Sequence, residues 1–390
     1  MQFDEIIDRR GHLSSKWDAM EKAYGVSPED GLAMWVADMD FRSGDFIQRA
    51  VRDMLDHGVY GYIGDYRPYN NAIQWWMKNR HGWDIDTAAI LTTHGIVNGI
   101  GLGLQAFTQP GDGIVLFTPV YHAFARVIEA AGRRVVECPL ILTDGRYKMD
   151  FDAYDAQMTG GEKVVILCSP HNPGGRVWSE EELRAVADFC KRHDLLLFSD
   201  EIHHDIVYPG ATHIPIPVAA PDIIDRLVMF TAPSKTFNTA GTHTGNVIIQ
   251  DDVLRKTFAG MMAGIGVSPN NFGVAMTTAA YTPEGAEWVD ALVAYLDGNR
   301  QVFDEGIAKI PGLSSMEMQA TYLSWVDFAG TGMPTEEYKR RVNKDARIAV
   351  NYGSTFGLGG ETFLRFNIGM SRAQVKEAVE RLQNAFADLQ

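Results

Sequence analysis

The chain has 390 residues, 46% hydrophobic and 22% charged, with a formal net charge of −15. This is the balance of a folded globular protein of about two to three domains, and its acidity argues against nucleic acid or an anionic membrane surface as the main partner. No apolar run is long enough to span a bilayer, and the acidic start Met1-Gln2-Phe3-Asp4-Glu5 has no apolar export core, so a cytoplasmic location is expected.

From about Phe46 to Ile249 helical and extended patterns alternate. Apolar spacing predicts helices at Phe46 to His57 and Asn70 to Arg80, then a short strand at Ile90-Leu91-Thr92. A helix from Asn98 to Phe107 precedes the turn Pro110-Gly111-Asp112 and a strand at Gly113 to Thr118. His122 to Ala131 reads as helix and Lys163 to Cys168 as a buried strand. Ser179 suits the cap of a helix over Glu180 to His193. Apolar strands follow at Leu195 to Phe198, Leu227 to Thr231 and Asn246 to Ile249. Continuous apolar strands alternating with helices predict an α/β fold with a mostly parallel sheet covered on both faces. The last third differs: strands at Tyr322 to Val326 and Phe363 to Asn367 and a closing helix from Arg372 to Leu389 predict a smaller α+β domain, joined by the N-terminal segment. The expected boundaries are 1–44 for that segment, 45–280 for the large domain and 281–390 for the small one.

Ligands in such sheets bind at the carboxyl ends of the strands. Asn172, Asp200 and Lys235 each stand just past an apolar strand. Alone, each has an ordinary explanation as a turn residue, a cap or a surface charge. Together they suit pyridoxal 5′-phosphate chemistry. A lysine amine forms a Schiff base and can move a Cα proton. A carboxylate keeps the pyridine nitrogen protonated, and an amide can bond the phenolic oxygen. The three cysteines, Cys138, Cys168 and Cys190, match no zinc spacing and read as reduced thiols. His203-His204 with Asp205 and His213 form no strong ligand pattern, so no metal is expected. Trp75-Trp76 and Trp83 read as packing residues.

Ser234-Lys235-Thr236-Phe237-Asn238-Thr239-Ala240-Gly241 resembles the cofactor-lysine motif of fold-type I enzymes, the aspartate aminotransferase superfamily. His171-Asn172-Pro173-Gly174-Gly175 and Ser199-Asp200-Glu201-Ile202-His203 resemble its Asn-Pro and pyridine-aspartate motifs. Met34-Trp35-Val36-Ala37-Asp38-Met39-Asp40-Phe41, with Asp8-Arg9-Arg10-Gly11, Trp17-Asp18 and Gly61-Tyr62, resembles the cystathionine β-lyase-like branch of carbon–sulfur lyases. The resemblance covers nearly the whole chain. It implies a large domain with a mostly parallel seven-stranded sheet, a small α+β domain and pyridoxal 5′-phosphate as cofactor.

Roles follow from the resemblance position by position. Lys235 would hold the cofactor, Asp200 would pair with the ring nitrogen, and Asn172 would face the phenolic oxygen. Tyr121 would stack on the ring, and Tyr121 and Asp200 join Lys235 as catalytic residues. The phosphate would lie on Gly95, Ile96 and Val97, with Ser234 as a further donor. An arginine common in the family stands eight positions after the lysine; here it is His243, either a phosphate donor or a packing residue. His203 either lies near the phenolic oxygen or makes a structural hydrogen bond. Arg365 would grip the substrate carboxylate, with Ala37, Tyr121 and Asn172 completing the substrate site. Tyr62, or Tyr60 beside it, would reach the partner's phosphate in a homodimer. The activity implied is β-elimination from cystathionine or a cysteine conjugate, with amine transfer to a 2-oxo acid as the alternative.

Overall fold

The computed structural model describes residues 3–389; Met1 and Gln2 of the acidic start, and Gln390, lie outside them. Seven strands make the main sheet: β1 (Ile90–Thr93), β2 (Gly113–Leu116), β3 (Arg134–Glu137), β4 (Glu162–Cys168), β5 (Leu196–Asp200), β6 (Leu227–Thr231) and β7 (Gly245–Ile248). Their order is β1-β7-β6-β5-β4-β2-β3. Strands β6, β5, β4, β2 and β3 run parallel, while β7 lies antiparallel to both its neighbours. The sequence pattern located six of these strands to within two residues; β3 escaped it because Arg134-Val135-Val136-Glu137 is polar at both ends.

Both sheet faces are covered, which explains the unbroken apolar runs. Along β4, Val164, Ile166 and Cys168 enter one core with Ile100 and Leu104 of helix α1 (Ile96–Phe107). Val165 and Leu167 point the other way, into a core shared with Leu183, Val186 and Phe189 of α2 (Glu180–Arg192). Ser179 and Glu182 form a reciprocal capping box at the start of α2. Trp76 and Trp83 are buried, as packing residues should be.

The small domain carries β8 (Ser314–Ser315), β9 (Leu323–Asp327), β10 (Asn351–Tyr352) and β11 (Phe363–Asn367), all paired antiparallel in the order β8-β9-β11-β10. The long α3 (Pro283–Ile307), which sequence periodicity did not single out, packs against α4 (Arg372–Ala385). Residues Leu32 and Ala33 pair in parallel with Ile348 and Ala349, which fixes the N-terminal segment to this domain.

An ionic knot then holds that segment over the sheet. Lys16, fully buried, donates to Asp40 Oδ2 at 2.8 Å and to the Asp38 carbonyl at 3.1 Å. Arg9 reaches Asp40 at 2.7 Å and Asp38 at 2.9 Å, and the Trp17 indole donates to Asp40 at 3.1 Å. Removing one partner strands a buried charge, which costs several kcal/mol. Asp40→Ala is therefore expected to destabilise the fold by about 3–5 kcal/mol, read as a lower urea midpoint with no change in slope; an unchanged midpoint would show that the knot is dispensable.

Candidate active site

The carboxyl ends of β4, β5 and β6 lie side by side. Each strand hands its chain to a loop there, and the loops carry Asn172, Ile202 and Lys235 to one cavity of about 250 Å³. Asp200, the last residue of β5, forms part of its wall, as do Tyr121, His203 and Ala37. Gly95, Ile96 and Val97 line it opposite Ser234 and His243. Eleven of the thirteen site residues expected from sequence thus meet in one place. Arg365 stands just behind the wall, 3.0 Å from Asn172. Tyr62 is fully exposed on the segment between α-helices Asp45–His57 and Arg67–His81, apart from the cavity in this chain.

Local chain geometry makes a turn suited to an anion. Gly95 precedes α1 with φ of +85°, a conformation that L side chains rarely adopt. The first backbone N–H groups of α1 lack intrahelical partners and, with the helix dipole, favour an anion. Gly245 at the start of β7 backs this turn: a Cβ there would lie 2.9 Å from the Gly95 carbonyl carbon and 3.0 Å from the Ile96 nitrogen. His243 sits close by in the left-handed region, at φ of +46°.

Lys235 Nζ donates to the Ala37 carbonyl at 2.7 Å, and the buried Tyr322 hydroxyl donates to the same oxygen at 2.9 Å. Burial pushes the Lys235 ammonium down to about 8, against the attraction of Asp38 and Asp200. Asp200 accepts from the Ile202 N–H at 3.1 Å, but burial pushes its carboxyl up to about 7. A carboxylate so placed calls for a cation in contact with it. Burial also raises the Tyr121 phenol and drives the His203 imidazole well below its usual range, so His203 is neutral. Its Nδ1 is buried without a hydrogen bond, which leaves open a contact inside the cavity.

Arg365, on β11, is buried and has no acidic partner among the described residues. It donates to Asn172 Oδ1, to the Trp35 carbonyl at 2.8 Å and to Asn351 Oδ1 at 2.5 Å, and it lies over the Phe356 ring. Burial pushes its guanidinium down to about 10, still cationic at neutral pH. A planar fork with neutral neighbours suits a ligand carboxylate.

Sequence reasoning missed Tyr322 and Asn351. Tyr322 was read only as the start of a strand, and Asn351 lies beside the Tyr352-Gly353 loop with no motif of its own. It also missed Asn367, whose amide donates to the Val36 and Asp38 carbonyls at 2.6 Å and so shapes the Ala37 turn. Only the apolar strand around Asn367 hinted at an inward-facing amide.

The donor set fits pyridoxal 5′-phosphate: an amine, an uncompensated carboxylate for a protonated ring nitrogen, an aromatic wall and an anion cradle, all on one cavity. Fold and site together define a fold-type I enzyme dependent on that cofactor. The family model for aminotransferases of class I and II matches residues 40–382, and the chain belongs to that family. It is 36% identical over 390 residues to cystathionine beta-lyase PatB of Bacillus subtilis, covering 99% of this chain and 100% of that protein. Cystalysin from Treponema denticola, which contains pyridoxal 5′-phosphate, superposes with a TM-score of 0.94 at 34% identity, over 100% of this chain and 99% of that one. The pyridoxal-phosphate-bound C–S lyase from Staphylococcus hominis gives a TM-score of 0.91 at 32% identity, over 98% and 97% of the two chains. The chain is a pyridoxal-phosphate-dependent enzyme of the C–S lyase branch.

The amine state of Lys235 gives a test. Only the neutral amine attacks the cofactor aldehyde, so the rate of cofactor uptake by the apoprotein should fall about tenfold per pH unit below about 8 and level off above it. Stopped-flow absorbance of apoprotein mixed with cofactor reads that profile; a midpoint near the ordinary lysine value of 10.5 would contradict the buried environment.

Proposed function

We propose that this chain cleaves the Cβ–S bond of L-cystathionine or a related cysteine conjugate, giving pyruvate, ammonia and a thiol. The observation that carries the reading is the buried Arg365 guanidinium, with no acidic partner among the described residues, beside the cavity that Lys235 lines. The kinship with PatB and the Staphylococcus enzyme supports the elimination over amine transfer.

Arg365 and Asn172 bind the α-carboxylate of the substrate and fix the Cα–H bond toward Lys235. When bound, pyridoxal phosphate supplies an electron sink for the pair left at Cα. Asp200 keeps a proton on the ring nitrogen through its charge. Tyr121 covers the ring face and excludes water. Asn172 orients the phenolic oxygen, and Ser234 with the α1 N–H groups of Ile96 and Val97 holds the phosphate; Gly95 lets the chain turn there. His243 adds a donor at the phosphate end. His203 stays neutral near the phenolic oxygen. The Lys235 amine takes the Cα proton. The departing sulfur leaves with the Cβ–S electron pair and takes up a proton. The aminoacrylate released is hydrolysed to pyruvate and ammonia.

A homodimer with a shared site belongs to this reading. Val59, Tyr60 and Tyr62 are more than half exposed on one segment, an arrangement that a second copy would cover. Tyr62 then reaches the partner's phosphate. Domain limits at 44 and 280 belong to the same reading; the start of α3 at Pro283 and the pairing of Leu32–Ala33 with the small domain support them. No helix among the described residues is long and apolar enough to cross a membrane, in keeping with a cytoplasmic setting.

The decisive assay follows pyruvate and free thiol from L-cystathionine with and without a 2-oxo acid. Elimination needs no acceptor; acceptor-dependent formation of a new amino acid, with no thiol released, would identify an aminotransferase instead. Arg365→Ala should lower kcat/KM about 100-fold, mostly through KM, while the cofactor's visible absorbance is retained. Tyr62→Ala should weaken cofactor affinity about tenfold in a species that sediments as a dimer. A wild-type enzyme that is active as a monomer would remove the shared-site part of the reading.

A further inference from the structure

Beneath the cofactor cavity lies a second buried cluster that the reaction does not use. It contains Glu201, His204, Asp205, His213 and His81, and none of these five lines the cavity. The residues come from the segment that follows β5 and from the helix Arg67–His81, so the fold rather than local spacing assembles them. Sequence reading set aside His204, Asp205 and His213 as a weak pattern and missed His81 and Glu201.

The cluster sets two buried carboxylates among histidines. Both carboxylates have fully buried side chains, and the only ion-pair partners of either among the described residues are histidines. Glu201 accepts from Ser199 Oγ at 2.9 Å and Ile216 N at 3.1 Å, and lies 2.8 Å from His213 Nε2. Asp205 accepts from the Trp76 indole at 3.0 Å, from Thr236 Oγ1 at 2.7 Å and from His81 Nε2 at 2.9 Å. Two buried carboxylates thus have only histidine rings as possible cationic partners among the described residues.

His204 supplies the independent sign of a ligand. Its side chain is fully buried, Nδ1 has no partner among the described residues, and Nε2 has only a loose approach to Asp205. A buried polar atom left unpaired costs about 1–3 kcal/mol, and such an atom asks for an unseen partner. One nitrogen, Nε2, lies 3.4 Å from Asp205 Oδ2. The ring stacks on His81 at 4.0 Å, face to face. His213 Nδ1 is buried without a partner as well. Ligand atoms of Glu201, His204 and His213 all lie within 4.8 Å of one another. A tetrahedral zinc with bonds of about 2.0–2.2 Å spaces its ligands roughly 3.4 Å apart, which small side-chain rotations would reach.

We propose that Glu201, His204 and His213 bind one divalent transition metal ion, zinc by the chemistry of its donors, as a structural site below the cofactor. Imidazole nitrogen with carboxylate oxygen is a zinc donor set. The charge of +2 neutralises Glu201 and Asp205 together. Asp205 serves as the acceptor that orients His204, in the carboxylate–histidine–metal arrangement that fixes a ligand ring. The ion would tie the loop after β5 to the helix Arg67–His81 through the stacked rings. Three protein ligands leave the fourth position of a tetrahedral ion to one enclosed water, and because all three are buried that position is out of reach of substrate.

The test uses untagged holoenzyme from cells grown with added zinc. Elemental analysis should find about one zinc per chain, and His204→Ala and Glu201→Gln should each lose about nine-tenths of it. The cofactor's visible absorbance, which depends on Lys235, reports whether each variant is folded, and His204→Phe keeps the ring stack should the alanine variant fold poorly. Zinc-edge X-ray absorption should show a nitrogen and oxygen shell with imidazole scattering and no sulfur. Wild-type protein with less than about a tenth of a zinc per chain, or folded variants that keep the full zinc content, would overturn the assignment.

Discussion

Arg365 joins the three parts of the chain at one point. It belongs to the small domain, and it donates to Asn172 of the large domain, to the Trp35 carbonyl of the N-terminal segment and to Asn351 of its own sheet. All three partners are neutral. A buried guanidinium held only by amide and carbonyl oxygens is positioned but not neutralised, and an incoming carboxylate completes it. In the proposed reaction the same contacts would set the spacing between the substrate's carboxylate and Lys235. Domain packing and substrate geometry are therefore one constraint.

The same economy of charge runs through the cavity. Asp200 and Lys235 are each shifted by burial toward their neutral forms, Asp200 to about 7 and Lys235 to about 8. Neither is neutralised by direct contact with the other. A cationic ring nitrogen restores the charge of Asp200, and a neutral lysine is the form that attacks an aldehyde or takes a proton. Groups held away from their solution behaviour by a dry site are a mark of function.

Much of this was legible in the sequence because its signals are local. The apolar runs of β4 and β6 mark strands, and Asn172 and Lys235 follow those runs within a few residues. The left-handed turn at Gly95 is signalled by a glycine at the entry to α1. What stayed hidden depends on contacts distant in sequence. Tyr322 matters through the Ala37 carbonyl, 285 residues away, and Asn351 through Arg365. The antiparallel course of β7 was invisible because a strand buried on both faces looks the same in either direction. His81 joins His204 only once the helix Arg67–His81 is packed on the sheet.

The reversal of β7 has a further consequence for how much change the protein can absorb. Lys235 lies on the connection between two strands that are direct neighbours, β6 and β7, and β7 in turn abuts β1, whose end leads into the Gly95 turn. Both ends of the lysine loop are thus pinned to the floor that holds the phosphate cradle, and Gly245 fits against that cradle only for want of a side chain. Lengthening residues 232–244, or adding bulk at 245, would part the two ends of the cofactor from each other. The exposed stretch around Val59 to Tyr62 is held more lightly, by the Asn271 amide on the Gly61 carbonyl and by Tyr60 against Phe272. Variation in loop length is therefore expected to gather at the rim of the molecule and to be almost excluded between β6 and β7.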